Sequence, residues 1–276
     1  MDSRTKSSNE YVLGSAPEEL ARLDRQAAQI GPATRVLLQA AGIGTGMRVL
    51  DLGTGLGHVA RMVAELVGPT GSVVGIDRSG EALAVARERT QAAGATHVTF
   101  HESDVTSWRD SSAFDAVVER LVLFHVADPI AVVRHHRQNL RPGGVFVAVD
   151  FDIGSSRSEP RVELIEDALG WIVKAFTSAG ASPNIGARLG VILERAGLSD
   201  VTTFGVQAYV PPTSRAGASL LGSVVRSLAP AIVTGDIATA EQLDLPNLEN
   251  RMAEALQRAD AVMLPPTVTG AWGRSN

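Results

Sequence analysis

The sequence predicts an α/β fold: a doubly wound, mostly parallel sheet with helices on both faces, a helical segment before it and a helical cap after it. Three observations predict this. Arg48-Val49-Leu50-Asp51-Leu52-Gly53-Thr54-Gly55-Leu56-Gly57-His58-Val59 reads as a buried strand running into a glycine-rich turn and then a helix. From Met47 to about Ile153, apolar strand-like runs alternate with helical patterns, the rhythm of parallel strands joined by crossover helices. After Asp152 that rhythm gives way to helices separated by two further strand-like runs.

Each element has its own signal. Pro17 to Ile30 reads as a helix with Leu20, Leu23, Ala27 and Ile30 on one face. A second helix is expected from about Pro32, a good first-turn residue, to Ala41, ended by Gly42 and Gly44. Ser72 to Asp77 is a second strand, and Ser79 to Ala93 a helix with Leu83, Ala86 and Thr90 turned inward. His97 to Val105 and Ala113 to Arg120 follow as third and fourth strands, and Leu140 to Asp150 as the fifth. The helix between the last two, Pro129 to Leu140, carries His135 and His136. Neighbours on a helix point to different faces, so the two cannot comfortably share a metal, and both are expected in solvent. Further helices are expected at Arg161 to Ala179, Ile185 to Ala196, Arg215 to Ile232 and Pro246 to Ala261. Asp200 to Val210 alternates as a strand, and Val262 to Trp272 reads as a last strand interrupted by Pro265 and Pro266.

Composition narrows the function classes. The 276 residues are 45% hydrophobic and 20% charged, ordinary for a globular enzyme, with a net charge of −5 and no basic block. A nucleic-acid partner calls for a positive stripe to neutralise phosphates, so none is expected. The absence of cysteine excludes disulfides, thiolate metal sites and a cysteine nucleophile, and no metal site is expected. No apolar run is judged long enough to span a membrane and no signal-peptide stretch follows Met1 to Lys6, so the expected location is cytoplasmic.

The glycine turn carries the chemistry. Glycine tolerates positive φ and has no Cβ, so a ligand can lie almost against the backbone. Strand, glycine turn, helix, strand and the carboxylate of Asp77 form a layout that binds a nucleoside, the acid taking the ribose hydroxyls. A dinucleotide site wants G-x-G-x-x-G to seat a pyrophosphate on a helix N-terminus; Gly53, Gly55 and Gly57 stand at every second position instead.

With Asp51 added, D-x-G-x-G-x-G resembles motif I of the class I S-adenosylmethionine-dependent methyltransferases, and the remaining matches follow in order. Asp77 and then Asp104 end the second and third strands, Ala113 to Arg120 looks like the fourth strand, and Leu140-Arg141-Pro142-Gly143-Gly144 resembles the family's L-(K/R)-P-G-G turn before the fifth. The resemblance implies a Rossmann-like, seven-stranded sheet and S-adenosyl-L-methionine as cofactor, with S-adenosyl-L-homocysteine as product. It places Asp51, Gly53, Thr54, Gly55 and Gly57 against the amino-acid part of the cofactor, and Asp77, Arg78 and Ser79 at the ribose. Ser103, Asp104 and Val105 fall at the adenine, though Asp104 can instead cap the following turn. Arg120 and Leu121 face the cofactor, where Arg120 meets its carboxylate or pairs with Glu119 or another acid. Tyr11, in a Tyr11-Val12-Leu13-Gly14 segment similar to bacterial small-molecule methyltransferases, either lies over the cofactor or anchors packing.

The implied units are a helical lid at 1–44, a cofactor core at 45–153, and the remaining strands with helical cap insertions at 154–276. Glu119 to Leu121 and Asp150 to Asp152 are expected to project into the pocket at the strands' carboxyl ends. Phe124, His125, Phe151, Trp171 and Phe176 are the candidate acceptor wall. His125 is the best-placed general base, because an imidazole titrates near neutral pH, unless it is structural. An apolar cap favours a greasy small-molecule acceptor, either C-methylation of a prenylated or terpenoid indole-type compound or O- or N-methylation of another metabolite. An NAD-dependent oxidoreductase and a non-catalytic nucleoside-binding protein are the rival classes. A homo-oligomer through the N-terminal helices or the cap is the expected assembly.

Overall fold

Strands such as Val49–Leu52, Val73–Ile76 and Val145–Val149 are buried on both faces, so each face of their sheet needs helical cover. The computed structural model describes residues 17–110 and 113–276 and shows that cover. In chain order, α1 (Pro17–Ala40) leads to β1 (Arg48–Leu52), α2 (His58–Val67), β2 (Ser72–Asp77) and α3 (Gly80–Ala92). Then come β3 (Val98–Glu102), β4 (Phe114–Arg120), α4 (Pro129–Arg137) and β5 (Leu140–Asp152). The rest comprises β6 (Arg157–Glu159), α5 (Glu163–Ser178), α6 (Leu189–Arg195), β7 (Ser199–Val206), α7 (Ala216–Thr234), α8 (Ala240–Leu243), α9 (Leu248–Arg258), β8 (Val262–Leu264) and β9 (Thr267–Arg274).

The main sheet has seven strands in the order β3-β2-β1-β4-β5-β9-β7, the doubly wound, Rossmann-like arrangement expected. β1 to β5 run parallel, and β9 is antiparallel to both β5 and β7. One core joins the sheet to α1, α2 and α3 through Leu37, Val49, Val63, Leu83 and Val147. The other joins its opposite face to α4, α6 and the packed helices α5, α7 and α9.

Four expectations needed correction. The two N-terminal helices are one: α1 runs unbroken through Pro32. An internal proline costs about 3 kcal/mol, but Ile30, Leu37 and Leu38 are buried on both sides of it, each worth about 1.5–3 kcal/mol. Packing of one continuous apolar face outweighs the lost bond. The last strand is two strands, because Pro265 and Pro266 divide it; β9 enters the main sheet while β8 pairs with β6 in a separate ribbon. His136 is buried, donating from Nε2 to Val105 O at 2.6 Å and accepting at Nδ1 from Asn139 at 2.9 Å. Finally, α7, at 19 residues and mean hydropathy 1.5, is long and apolar enough to span a membrane by length and composition. In the fold it packs on α5 and α9, burying Leu221, Val225, Leu228 and Ile232.

Candidate functional site

Strand order reverses between β1 and β4, and in an open α/β sheet the crevice at such a switch point is where ligands bind. Two turns face each other there. The first, Gly53 to Gly57, leaves β1; the second, Leu121 to His125, leaves β4. Gly53 sits at φ 61°, and a Cβ added to it would fall on Val122 Cγ2 of the opposite turn. At Gly55, φ 51°, an added Cβ would meet only Gly53 O at 4.0 Å, so the outer side of this backbone is open to a ligand.

The glycine turn is tied to β2. Thr54 N donates to Ile76 O at 2.9 Å, and Gly55 N to Asp77 Oδ2 at 2.8 Å. Asp77 Oδ1 accepts from Ser79 N at 2.9 Å, while Ser79 Oγ caps α3 by accepting from Ala82 N at 3.2 Å. Ser103 N donates to Asp77 O at 2.9 Å, which draws the end of β3 to the same place. Asp77 keeps free lone pairs on both oxygens. The structure thus brings Gly53, Thr54, Gly55, Gly57, Asp77, Ser79 and Ser103 together, with Arg78 exposed beside them. Asp104 does cap the next turn: Oδ1 accepts from Thr106 N at 2.7 Å and from Thr106 Oγ1 at 2.6 Å, holding its carboxyl below the usual range. Its Oδ2 has no hydrogen bond among the described residues. Val105 is half-buried and held through its carbonyl by His136. Tyr11 lies outside the described residues.

Asp51 is fully buried under the turn, and its Oδ2 accepts from Thr54 Oγ1 at 2.6 Å. It therefore shapes the glycine turn from below instead of facing a ligand. Burial pushes its carboxyl up to about 7, against Thr54 and the nearby Arg120 charge; Asp77 adds to the rise. Arg120 does not pair with Glu119. Its Nη1 reaches Thr34 Oγ1 of α1 at a long 3.5 Å, and it makes no ion pair among the described residues. Burial lowers its pKa and only Asp51 opposes this. An enclosed guanidinium without a contact anion is costly, so an acidic ligand group fits beside it. Leu121, at φ 59°, opens the second turn.

On the acceptor side Phe124, His125 and Phe176 meet. Phe124 stands edge-on to Phe176 and to His125, each with ring centroids 4.9 Å apart. Phe151 and Trp171 are half-buried against the same core, without a ring contact to those three among the described residues. His125 is exposed. Desolvation by the groups around it, with the charges of Arg78 and Arg22, lowers its pKa to about 4, below the neutral range expected.

Other residues were not anticipated. Glu119 and Asp150 were expected to project into the pocket, but both are buried and turned to the backbone of residues 122–124. An acid inside an apolar strand run, Val117-Val118-Glu119 or Ala148-Val149-Asp150, was the signal available. Asp24 of α1 receives Arg89 of α3 at 2.6 and 2.9 Å and contacts His58 Nε2, the first residue of α2, at 2.8 Å. This clamp pins the N-terminal helix beside the glycine turn. No local pattern announces it, because its three members are far apart in sequence. Among the described residues no group of three or more His, Asp or Glu is placed to hold a metal ion.

Comparisons with known proteins fit this geometry. Residues 43–185, just over half of the chain, match the family model described as a methyltransferase domain. A ubiquinone biosynthesis O-methyltransferase of Paramagnetospirillum magneticum is 32% identical over 103 residues, 37% of this chain and 41% of the relative. A demethylmenaquinone methyltransferase of Shouchella clausii is 34% identical over 89 residues, 32% of this chain and 38% of the relative. The chain thus spans less than half the length of these curated relatives. Phosphoethanolamine N-methyltransferase 2 of Haemonchus contortus, solved with S-adenosylhomocysteine, shares the fold at a TM-score of 0.54 and 18% identity, over 87% of this chain and 51% of that one.

Proposed function

Because the chain belongs to the methyltransferase-domain family, we propose that it moves a methyl group from S-adenosyl-L-methionine to a small, largely apolar acceptor, with S-adenosyl-L-homocysteine as product. The observation that carries this reading is the convergence, at the switch point, of an open glycine backbone, a half-buried Asp77 and the enclosed Arg120, which has no contact anion among the described residues. When bound, the cofactor supplies an electrophilic methyl group on a sulfonium. The free lone pairs of Asp77 accept the two ribose hydroxyls, Asp104 Oδ2 accepts from the adenine amino group, and Arg120 takes the carboxylate. The bare backbone at Gly55 lets the chain of the ligand lie flat. Removing a charged partner of bound hydroxyls costs about 1.5–3 kcal/mol. Asp77→Ala is therefore expected to weaken S-adenosylhomocysteine binding roughly ten- to a hundredfold by titration calorimetry. Equal heats and affinities in the folded variant would overturn the cofactor assignment.

The acceptor side is apolar. Phe124 and Phe176 make a rigid edge-to-face wall, and Phe151 and Trp171 extend the same surface. Two curated relatives are named for ubiquinone biosynthesis and for demethylmenaquinone, both concerned with lipophilic rings, which supports a greasy ring acceptor. C-methylation of a prenylated or terpenoid indole-type compound suits this wall, because an electron-rich carbon attacks without prior deprotonation. O- or N-methylation is the alternative and would enlist His125. With its pKa near 4, that imidazole is neutral throughout the physiological range and a weak proton acceptor. On the base-free reading, His125→Asn keeps turnover within about tenfold of wild type, with no inflection between pH 6 and 8. A general base is worth about 10²–10⁴ in rate, so a hundredfold loss would transfer the assignment to O- or N-methylation.

Residues 1–44 then act as the lid, 45–153 as the cofactor core, and 154–276 as the remaining strands with the acceptor cap. Lid and cap meet along a narrow groove where Arg22 and Gln26 of α1 face Leu220 and Val224 of α7. Half-exposed Val36 on α1 and Val233 on α7 support assembly of a homo-oligomer through one of these two elements. A cytoplasmic setting is in keeping with a chain that uses no cysteine.

A further inference from the structure

Two buried acids have no part in the chemistry above. Glu119 of β4 pairs with Ala148 of β5, and Asp150 lies two residues further along β5, so both side chains leave the same face of the sheet. They are 1% and 0% exposed. Neither has an ion-pair partner among the described residues, so local bonding has to explain their presence in the core. Both accept from backbone amides, Asp150 with two oxygens and Glu119 with one, its Oε1 being buried without a hydrogen-bond partner among the described residues. Glu119 Oε2 accepts from Val122 N at 3.0 Å and from Leu123 N at 3.3 Å. Asp150 Oδ2 accepts from Phe124 N at 3.0 Å and its Oδ1 from Phe151 N at 2.9 Å. Three consecutive amides of one turn are thus held by two acids on neighbouring strands.

That turn separates the two halves of the site. It starts at Leu121, a non-glycine residue at φ 59°, a conformation that persists only when its surroundings enforce it. Val122 then backs onto Gly53, and Phe124 stands edge-on to both His125 and Phe176. We propose that Glu119 and Asp150 are positioning residues which together hold the 122–124 turn, so that Val122 closes the back of the glycine turn while Phe124 and His125 form the acceptor wall. The words cofactor and acceptor here rest on the methyltransferase reading; the grip on the turn does not. Burial raises both carboxyls, Asp150 to about 7, and the charge of Asp150 raises Glu119 further. A neutral Glu119 still offers Oε2 as acceptor.

The acceptor counts differ, and that makes the pair testable. Glu119 uses one oxygen for two amides, so a glutamine carbonyl can replace it. Asp150 uses both oxygens, so asparagine keeps one acceptor and loses the other. Hydrogen exchange at single-amide resolution, on Glu119→Ala, Glu119→Gln and Asp150→Asn, reads this directly. Expected are at least tenfold faster exchange at 122 and 123 in Glu119→Ala, exchange within about threefold of wild type in Glu119→Gln, and faster exchange at 124 or 151 in Asp150→Asn. S-Adenosylhomocysteine affinity measured on the same proteins should fall about tenfold in Glu119→Ala and recover in Glu119→Gln. Unchanged exchange at 122–124 in Glu119→Ala, or equal loss in the Gln and Ala variants, overturns the proposal. Should Glu119→Ala not fold, the contrast between Glu119→Gln and Asp150→Asn decides. The predicted exchange pattern in a protein that binds no S-adenosylhomocysteine would leave the grip standing and remove the methyltransferase reading instead.

Discussion

Replacing Gly53 by alanine is expected to lower S-adenosylhomocysteine affinity at least a hundredfold and to reduce the melting temperature. Two costs combine. A left-handed backbone costs an L-residue about 1–2 kcal/mol, and the new methyl would occupy the place of Val122 Cγ2. Only Cγ2 of Val122 overlaps the added carbon, its Cγ1 and Cβ lying in ordinary contact at 3.5 and 3.6 Å, but Val122 is β-branched and stiff at χ1, so turning Cγ2 aside costs rotamer energy. The remaining way out moves the 122–124 turn away from Glu119 and Asp150, and overpacking of this kind costs about 1–3 kcal/mol. Val122→Ala in the same chain should restore the overlap part but not the backbone part. Gly55→Ala makes the control, because a Cβ there meets only Gly53 O at 4.0 Å. It should lose ligand affinity while costing stability only through its φ of 51°. Thermal unfolding and calorimetry on the three variants check this; wild-type affinity in Gly53→Ala would remove the glycine turn from the binding site.

The second large effect is a loss of stability on raising the pH. Burial lifts Asp51 and Asp150 to about 7 and Glu119 well above its ordinary range, with Asp150 raising Glu119 further. A carboxyl raised on folding binds its proton more tightly in the native state. Its contribution is complete below about pH 4 and is lost as the pH climbs through the folded value. One pKa unit corresponds to about 1.4 kcal/mol, so a carboxyl lifted from 3.8 to about 7 costs on the order of 4 kcal/mol once ionised. Asp24 and Asp104 act in the opposite sense. Arg89 and Thr106 respectively lower their pKa values, so their contribution is present above about pH 4 and disappears in acid. His125 and His136, lowered to about 4, bind their protons less tightly when folded and oppose the loss from the raised carboxyls up to about pH 6.5, so urea unfolding should show its clear fall in midpoint between pH 6.5 and pH 8. Glu119→Gln should flatten the alkaline side, since it removes one of two mutually repelling acids. A midpoint that is constant or rising from pH 6.5 to pH 8 would contradict this account of the buried carboxyls.

Much of the fold was legible because its signals are local. Apolar runs ending at Leu52 and Asp77 and helical spacing in Leu83, Ala86 and Thr90 act within a few residues. What sequence reasoning missed depends on distant partners. Pro32 signals a break, and only the burial of Ile30, Leu37 and Leu38 on one continuous face overrules it. His136 looked like a solvent residue until Val105 and Asn139 supplied its hydrogen bonds. Glu119 and Asp150 stand at strand ends where pocket residues are expected, yet the amides that satisfy them belong to the next turn. In the candidate site, the glycine turn and Asp77 were readable together because one βαβ unit contains both. The Asp24 clamp was not, because α1, α2 and α3 meet only in the folded chain.

β9 separates β5 from β7 although it is made after both. While the ribosome is still producing residues 207–266, β5 therefore has one unpaired edge and β7 has no strand partner at all. Vectorial synthesis cannot complete this half of the sheet strand by strand, so its closure is a single late insertion, and refolding from denaturant should share that slow step.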